Sequence, residues 1–154
     1  MPEAVIVATA RTPIGKAGRG ALNMLDGPEL GAIVIREAIA RAGLSGEEVD
    51  DVLLGAARLE GPQGGNVGRL AALRAGLPQS VPGVSLDRKC ASGVNTIAYA
   101  AQRIIAGEGD IFIAGGLDSC SAGSDRAGPV ESGSGGKTLG VRNTGRDRRE
   151  RIPV

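Results

Sequence analysis

The chain has 154 residues, a formal net charge of +1, one Phe, one Tyr and no Trp. That length fits one domain with a tail, and the near-zero charge argues against nucleic acid or a membrane surface as partner. Two cysteines, no basic and apolar leader, and no run approaching about 18 apolar residues point to free thiols in a reducing, cytoplasmic setting.

Ala4-Val5-Ile6-Val7-Ala8 is an unbroken apolar run of strand length, as expected of a strand buried on both faces. A glycine-rich loop follows over residues 11–27. A helix is expected from Pro28 to Ala42, with Pro28 in its first turn and Gly43 as its C-terminal cap. Leu30, Val34, Ala38 and Ile39 share one face of it. Ser45-Gly46-Glu47-Glu48 has capping-box spacing and starts one helical turn. Val52-Leu53-Leu54-Gly55-Ala56 reads as a second buried strand, and Asn66 to Ala75 as a shorter helix stopped by Gly76 and Pro78.

Val81 to Leu86 enters a third strand. Ala91 to Ala106 then carries Val94, Ile97, Ala98, Ala101, Ile104 and Ile105 at helical spacing, ended by Gly107. Asp110-Ile111-Phe112-Ile113-Ala114 is the last clear strand. Strands alternating with helices in this way predict a layered α/β fold with a mostly parallel sheet.

From Ala122 the composition changes. Residues 122–154 hold Val130, Leu139, Val141, Ile152 and Val154 as their only large aliphatics, no aromatics, and a basic run over Arg146–Arg151. Such a segment buries too little apolar surface to offset its ordering entropy. The expected organisation is one domain over 1–121 and a disordered tail over 122–154, as from a truncated or frameshifted product.

Cys90 stands between the third strand and the long helix. Unpaired N–H groups at a helix start favour a thiolate and can hold an oxyanion. The alternative is a small buried core cysteine. Of its neighbours Arg88 and Lys89, at most one is expected to face it, because adjacent strand residues point to opposite sides. Cys120 reads as a bystander thiol. Ser132-Gly133-Ser134-Gly135-Gly136-Lys137-Thr138 lacks the first glycine of a phosphate loop, since Glu131 stands there. Gly15-Lys16-Ala17-Gly18-Arg19-Gly20 has the wrong spacing for a dinucleotide loop and reads as a surface loop. No metal site is expected.

Six blocks together resemble the thiolases, the acyl-CoA acetyltransferases. They are Ala8-Thr9-Ala10-Arg11-Thr12-Pro13-Ile14-Gly15, Pro28-Glu29-Leu30-Gly31, Ala42-Gly43-Leu44 with Glu48-Val49-Asp50, Ala71 to Pro78, Cys90-Ala91-Ser92-Gly93, and Ala114-Gly115-Gly116, the last at a Gly-Gly turn after a strand. They follow the family's order over roughly residues 2–121. The resemblance implies the N-terminal βαβαβ-type half of a layered thiolase fold, with a mostly parallel mixed sheet. It implies Cys90 as nucleophile and its own N–H as an oxyanion donor. Coenzyme A thioesters are then substrates, with no further cofactor, in reactions such as those of fatty acid metabolism.

The family also uses a histidine and a second cysteine from its C-terminal half, and this sequence has no histidine. The resemblance therefore implies an acyltransferase part that is inactive alone, working as a homo-oligomer or paired with an intact thiolase. The alternative is a non-catalytic dimerisation module. A ketoacyl synthase is disfavoured by the Ala-x-Arg-Thr-Pro-Ile-Gly block.

Overall fold

A computed structural model describes residues 3–121 and 135–143. In chain order it contains β1 (Ala4–Arg11), α1 (Gly27–Ala42), β2 (Asp51–Gly55), α2 (Val67–Arg74), β3 (Gly83–Leu86), α3 (Ser92–Ala106), β4 (Ile111–Asp118) and β5 (Gly135–Asn143). Short 3-10 turns at Gly46–Glu48 and Gly61–Gln63 flank β2. At the first of these the Glu48 carboxylate accepts the Ser45 N–H at 2.9 Å, as the capping spacing requires.

The five strands form one sheet in the order β1-β5-β4-β2-β3. β2 runs parallel to β3 and β4, while β5 is antiparallel to both β4 and β1. The sheet is thus mixed, with β1, β2, β3 and β4 pointing the same way and β5 running against them. Its layering follows from the two-residue period of the central strands. Val52 and Leu54 of β2, with Ile111, Ile113 and Leu117 of β4, join Ile35 of α1 and Val67 and Ala71 of α2 in one core. Leu53, Phe112 and Ala114 point the other way and pack on Ala100 and Ile104 of α3. The result is three layers, with α1 and α2 on one side and α3 on the other.

Helix starts are set by local chemistry. Asp26 caps α1, its Oδ1 accepting the Glu29 N–H at 2.8 Å, and Gly43 closes the helix in a left-handed conformation. Asn66 caps α2 in the same way, accepting the Arg69 N–H at 3.2 Å.

The structure corrects four expectations. β1 is not buried on both faces: it lies at the edge of the sheet, and its Ile6 and Val7 are exposed. Residues 135–143, placed by composition in a disordered tail, form β5 between β1 and β4. The remainder of 122–154 lies outside the described residues. Gly115 and Gly116 do not turn; they continue β4, opposite Leu54 and Gly55 of β2. On α3 the buried positions are Ser92, Thr96, Ala100 and Ile104, while Val94 and Ile105 of the expected apolar stripe are exposed. The helix is apolar on two sides, and the sheet takes only one of them.

Candidate active site

Cys90 lies in the turn between β3 and α3, and its side chain is exposed. The buried-core reading of this cysteine is therefore excluded. The turn is unusual one residue earlier. Lys89 has φ +52°, a left-handed conformation that costs a residue with a Cβ about 1 kcal/mol or more. Three sets of bonds hold it there. Asp87 accepts the Lys89 N–H at 2.8 Å and the Lys89 Nζ at 2.6 Å. Ser92 Oγ accepts the Arg88 N–H at 2.8 Å and donates to the Lys89 carbonyl at 2.6 Å. The Lys89 Nζ also donates to the Ala57 carbonyl at 3.2 Å. The side-chain bond from Lys89, followed by its backbone bond, holds the Asp87 carboxyl below its ordinary pKa.

Glycines set the depth at which α3 meets the sheet. A Cβ on Gly55 would stand 2.5 Å from the Ser92 carbonyl carbon, and one on Gly116 would stand 3.2 Å from the Gly93 Cα. Only bare backbone lets the first turn of α3 sit so close to the ends of β2 and β4. Thr96, fully buried, locks the contact: its Oγ1 lies 2.7 Å from the Gly93 oxygen and 2.8 Å from the Gly115 oxygen.

A cavity of about 450 Å³ opens at this junction, lined by Arg11, Ile14, Lys89, Cys90, Val94 and Asp118 among others. Lys89 lines it and Arg88 does not; both lie past the end of β3, so the strand alternation expected of the pair does not apply to them. Cys120 is half-buried and is not a lining residue. Residues 15–20 form a looped segment with no helix before Gly27, and residues 135–138 lie in a strand where a phosphate loop would need a helix.

Arg11, Ile14, Ser92 and Asp118 were not singled out from sequence as site residues. The close packing implied by Gly55 and by Gly115-Gly116 was the available signal for Asp118, which follows two residues later. Asp118 Oδ1 accepts the Ala57 N–H at 3.0 Å. Burial raises the Asp118 pKa above the ordinary value, with Asp87 adding repulsion; the Ala57 N–H, Gln63 and Arg58 pull the other way. A carboxyl raised in the fold costs stability while ionised, and that cost vanishes once pH falls below its unfolded value, near 4. Asp118→Asn keeps an oxygen for Ala57 and removes the charge. It should be at least as stable as the parent near pH 7, with the difference closing toward about pH 4. Urea titrations at the two pH values check this, and a deficit confined to neutral pH would contradict it.

The family model described as "Thiolase, N-terminal domain" matches residues 4–138. The chain is 46% identical over 121 residues to a 3-ketoacyl-CoA thiolase of Bacillus subtilis strain 168, covering 79% of this chain and 31% of that protein. It is 48% identical over 122 residues to a 3-oxoadipyl-CoA/3-oxo-5,6-dehydrosuberyl-CoA thiolase of Escherichia coli K12, covering 79% and 30%. It is 43% identical over 122 residues to an acetyl-CoA acetyltransferase of Cupriavidus necator, again covering 79% and 30%. The chain thus spans about three-tenths of the length of the curated relatives it matches. An α/β sheet with a cysteine at its third strand-to-helix turn, and a match running from β1 into β5, make this chain a member of the thiolase family, carrying that family's N-terminal domain.

Proposed function

We propose that Cys90 is the acyl-accepting nucleophile of a thiolase-type acyltransferase, with acyl-CoA as donor. The observation that carries this reading is an exposed thiol at a strained turn, opening on a cavity at the start of α3. The thiolate attacks the thioester carbonyl carbon, a new C–S bond forms, and the tetrahedral oxyanion collapses. The bond to the coenzyme A sulfur breaks, and that sulfur takes up the proton the cysteine gave up. The acyl group then passes to coenzyme A or to the enolate of acetyl-CoA. Cysteine suits the first step because thioester exchange is nearly balanced in energy.

A positioned general base contributes about 10²- to 10⁴-fold, and no histidine is present among the 154 residues. These residues alone should therefore acquire an acyl group slowly and turn over negligibly. Incubation with acetyl-CoA followed by peptide mass mapping should place one acetyl group on Cys90 and none in Cys90→Ser. Acetylation spread equally to Cys120, or surviving in Cys90→Ser, would sink the assignment.

One further observation favours the second reading, a docking half without chemistry of its own. Val94 and Ile105 on the outward side of α3 are 66% and 47% exposed. An apolar face of this kind suits burial against another copy of the chain or an intact thiolase. A chain that sediments as a dimer and takes up no acetyl group fits that reading and not the first. No helix among the described residues is long and apolar enough to cross a membrane.

A further inference from the structure

The Cys90 turn is tied to a carboxylate on a different strand by a continuous path. Asp118, at the end of β4, accepts the Ala57 N–H at 3.0 Å. The same residue, Ala57, offers its carbonyl to the Lys89 Nζ at 3.2 Å. Lys89 is the left-handed residue immediately before the nucleophile, and its ammonium also meets Asp87. Asp118 and Lys89 both line the cavity into which Cys90 opens. Ala57 has no regular partner strand to fix it, lying two residues past the end of β2. A hydrogen bond from each side orients it.

We propose that Asp118 is a positioning residue for Cys90, acting through Ala57 on Lys89 so that the turn Lys89 belongs to keeps the conformation that presents the thiol to the cavity. The proposal rests on the reading of Cys90 as nucleophile, yet it is decided by a reaction that needs no coenzyme A. A protonated Asp118 still offers an oxygen to Ala57, so the role depends on the acceptor atom and not on the charge. That separates it from simple electrostatics. A carboxylate acting by charge alone would repel a thiolate, and removing it would speed the thiol's reactions.

The test is the rate of Cys90 labelling by iodoacetamide in the full chain, followed by peptide mapping, for the parent, Asp118→Ala, Asp118→Asn, Lys89→Met and the Asp118→Ala/Lys89→Met double variant. Loss of one hydrogen bond of ordinary strength corresponds to about two- to tenfold. Asp118→Ala and Lys89→Met should each slow labelling by that factor, and Asp118→Asn should remain within about twofold of the parent. The double variant should be no slower than the slower single, because both break one path.

Three results would overturn the proposal: equal acceleration in Asp118→Ala and Asp118→Asn, multiplying effects in the double variant, or parent-like labelling in Lys89→Met. The last holds even where Asp118→Ala fails to fold, since the Lys89 side chain is 75% exposed and its replacement leaves the core intact. Labelling that follows the expected pattern, in a chain that takes no acetyl group from acetyl-CoA, would keep the positioning role and overturn the nucleophile reading alone.

Discussion

Gly55→Ala should destabilise the chain by about 2–3 kcal/mol and slow Cys90 labelling at the same time. The added Cβ would lie 2.5, 2.6 and 2.7 Å from the Ser92 carbonyl carbon, carbonyl oxygen and Cβ. Two of those atoms are backbone, so no rotamer change relieves the clash. Either β2 shifts or the first turn of α3 lifts away from the sheet. Lifting α3 disturbs Ser92, whose hydroxyl accepts from Arg88 and donates to Lys89 around the turn. Stability and thiol presentation are thus joined at one position. A fall in the denaturation midpoint measures the first effect, and the iodoacetamide rate measures the second. An alanine variant with parent-like values of both would show that the helix does not depend on this close approach.

Phe112→Ala should cost more stability, about 3–5 kcal/mol, and leave the thiol's chemistry alone in whatever fraction stays folded. Phe112 is fully buried against Leu53, Ala100 and Ile104, and it is the largest side chain in that layer. The Arg103 guanidinium sits 4.7 Å from its ring centre and bonds Asp51 at 2.5 Å. Removing the ring opens a cavity and strips that half-buried cation of its platform. The site is at the far end of the same strand: Gly116 lies four residues on, about 13 Å away at strand rise. Chemical denaturation of Phe112→Ala, with labelling measured below the transition, separates the two variants. Equal loss of labelling rate in both would mean that α3 moves as a rigid unit on the sheet.

Much of this arrangement was legible in the residues. Val52-Leu53-Leu54 announces a strand covered on both faces, and Leu53 does face away from its two neighbours into the α3 layer. Pro28 and Gly43 bracket α1 within a residue of its observed limits. The alternation of strands and helices pointed to a layered α/β fold, while which helix covers which face of the sheet is seen only in the structure.

What stayed hidden has identifiable causes. β5 contains three glycines and few strand formers, so its own residues argue against a strand. It is a strand because β1 and β4 both need a partner, which only the assembled sheet reveals. The α3 stripe misled for a different reason. With Val94 and Ile105 on one side and Thr96, Ala100 and Ile104 on the other, periodicity alone does not say which side meets the sheet. Thr96 looks polar in sequence yet is fully buried, because the Gly93 and Gly115 carbonyls satisfy its hydroxyl. Asp118 carried no motif, and its part in the site depends on where Ala57 comes to rest.

The strand order also fixes a sequence of assembly. Within the sheet β1 is bonded to β5 alone, with Ala4 opposite Asn143 and Arg11 opposite Lys137. β1 must therefore wait for β5 before it gains a neighbour among the described strands, and closing so long a loop is entropically costly. Arg11, at the end of β1, reaches the Cys90 cavity, and Ile14 follows three residues later. That wall of the cavity is completed by the two ends of the described chain meeting. The thiol's turn, held by β2, β3, β4 and α3, can take shape while the pocket around it is still open.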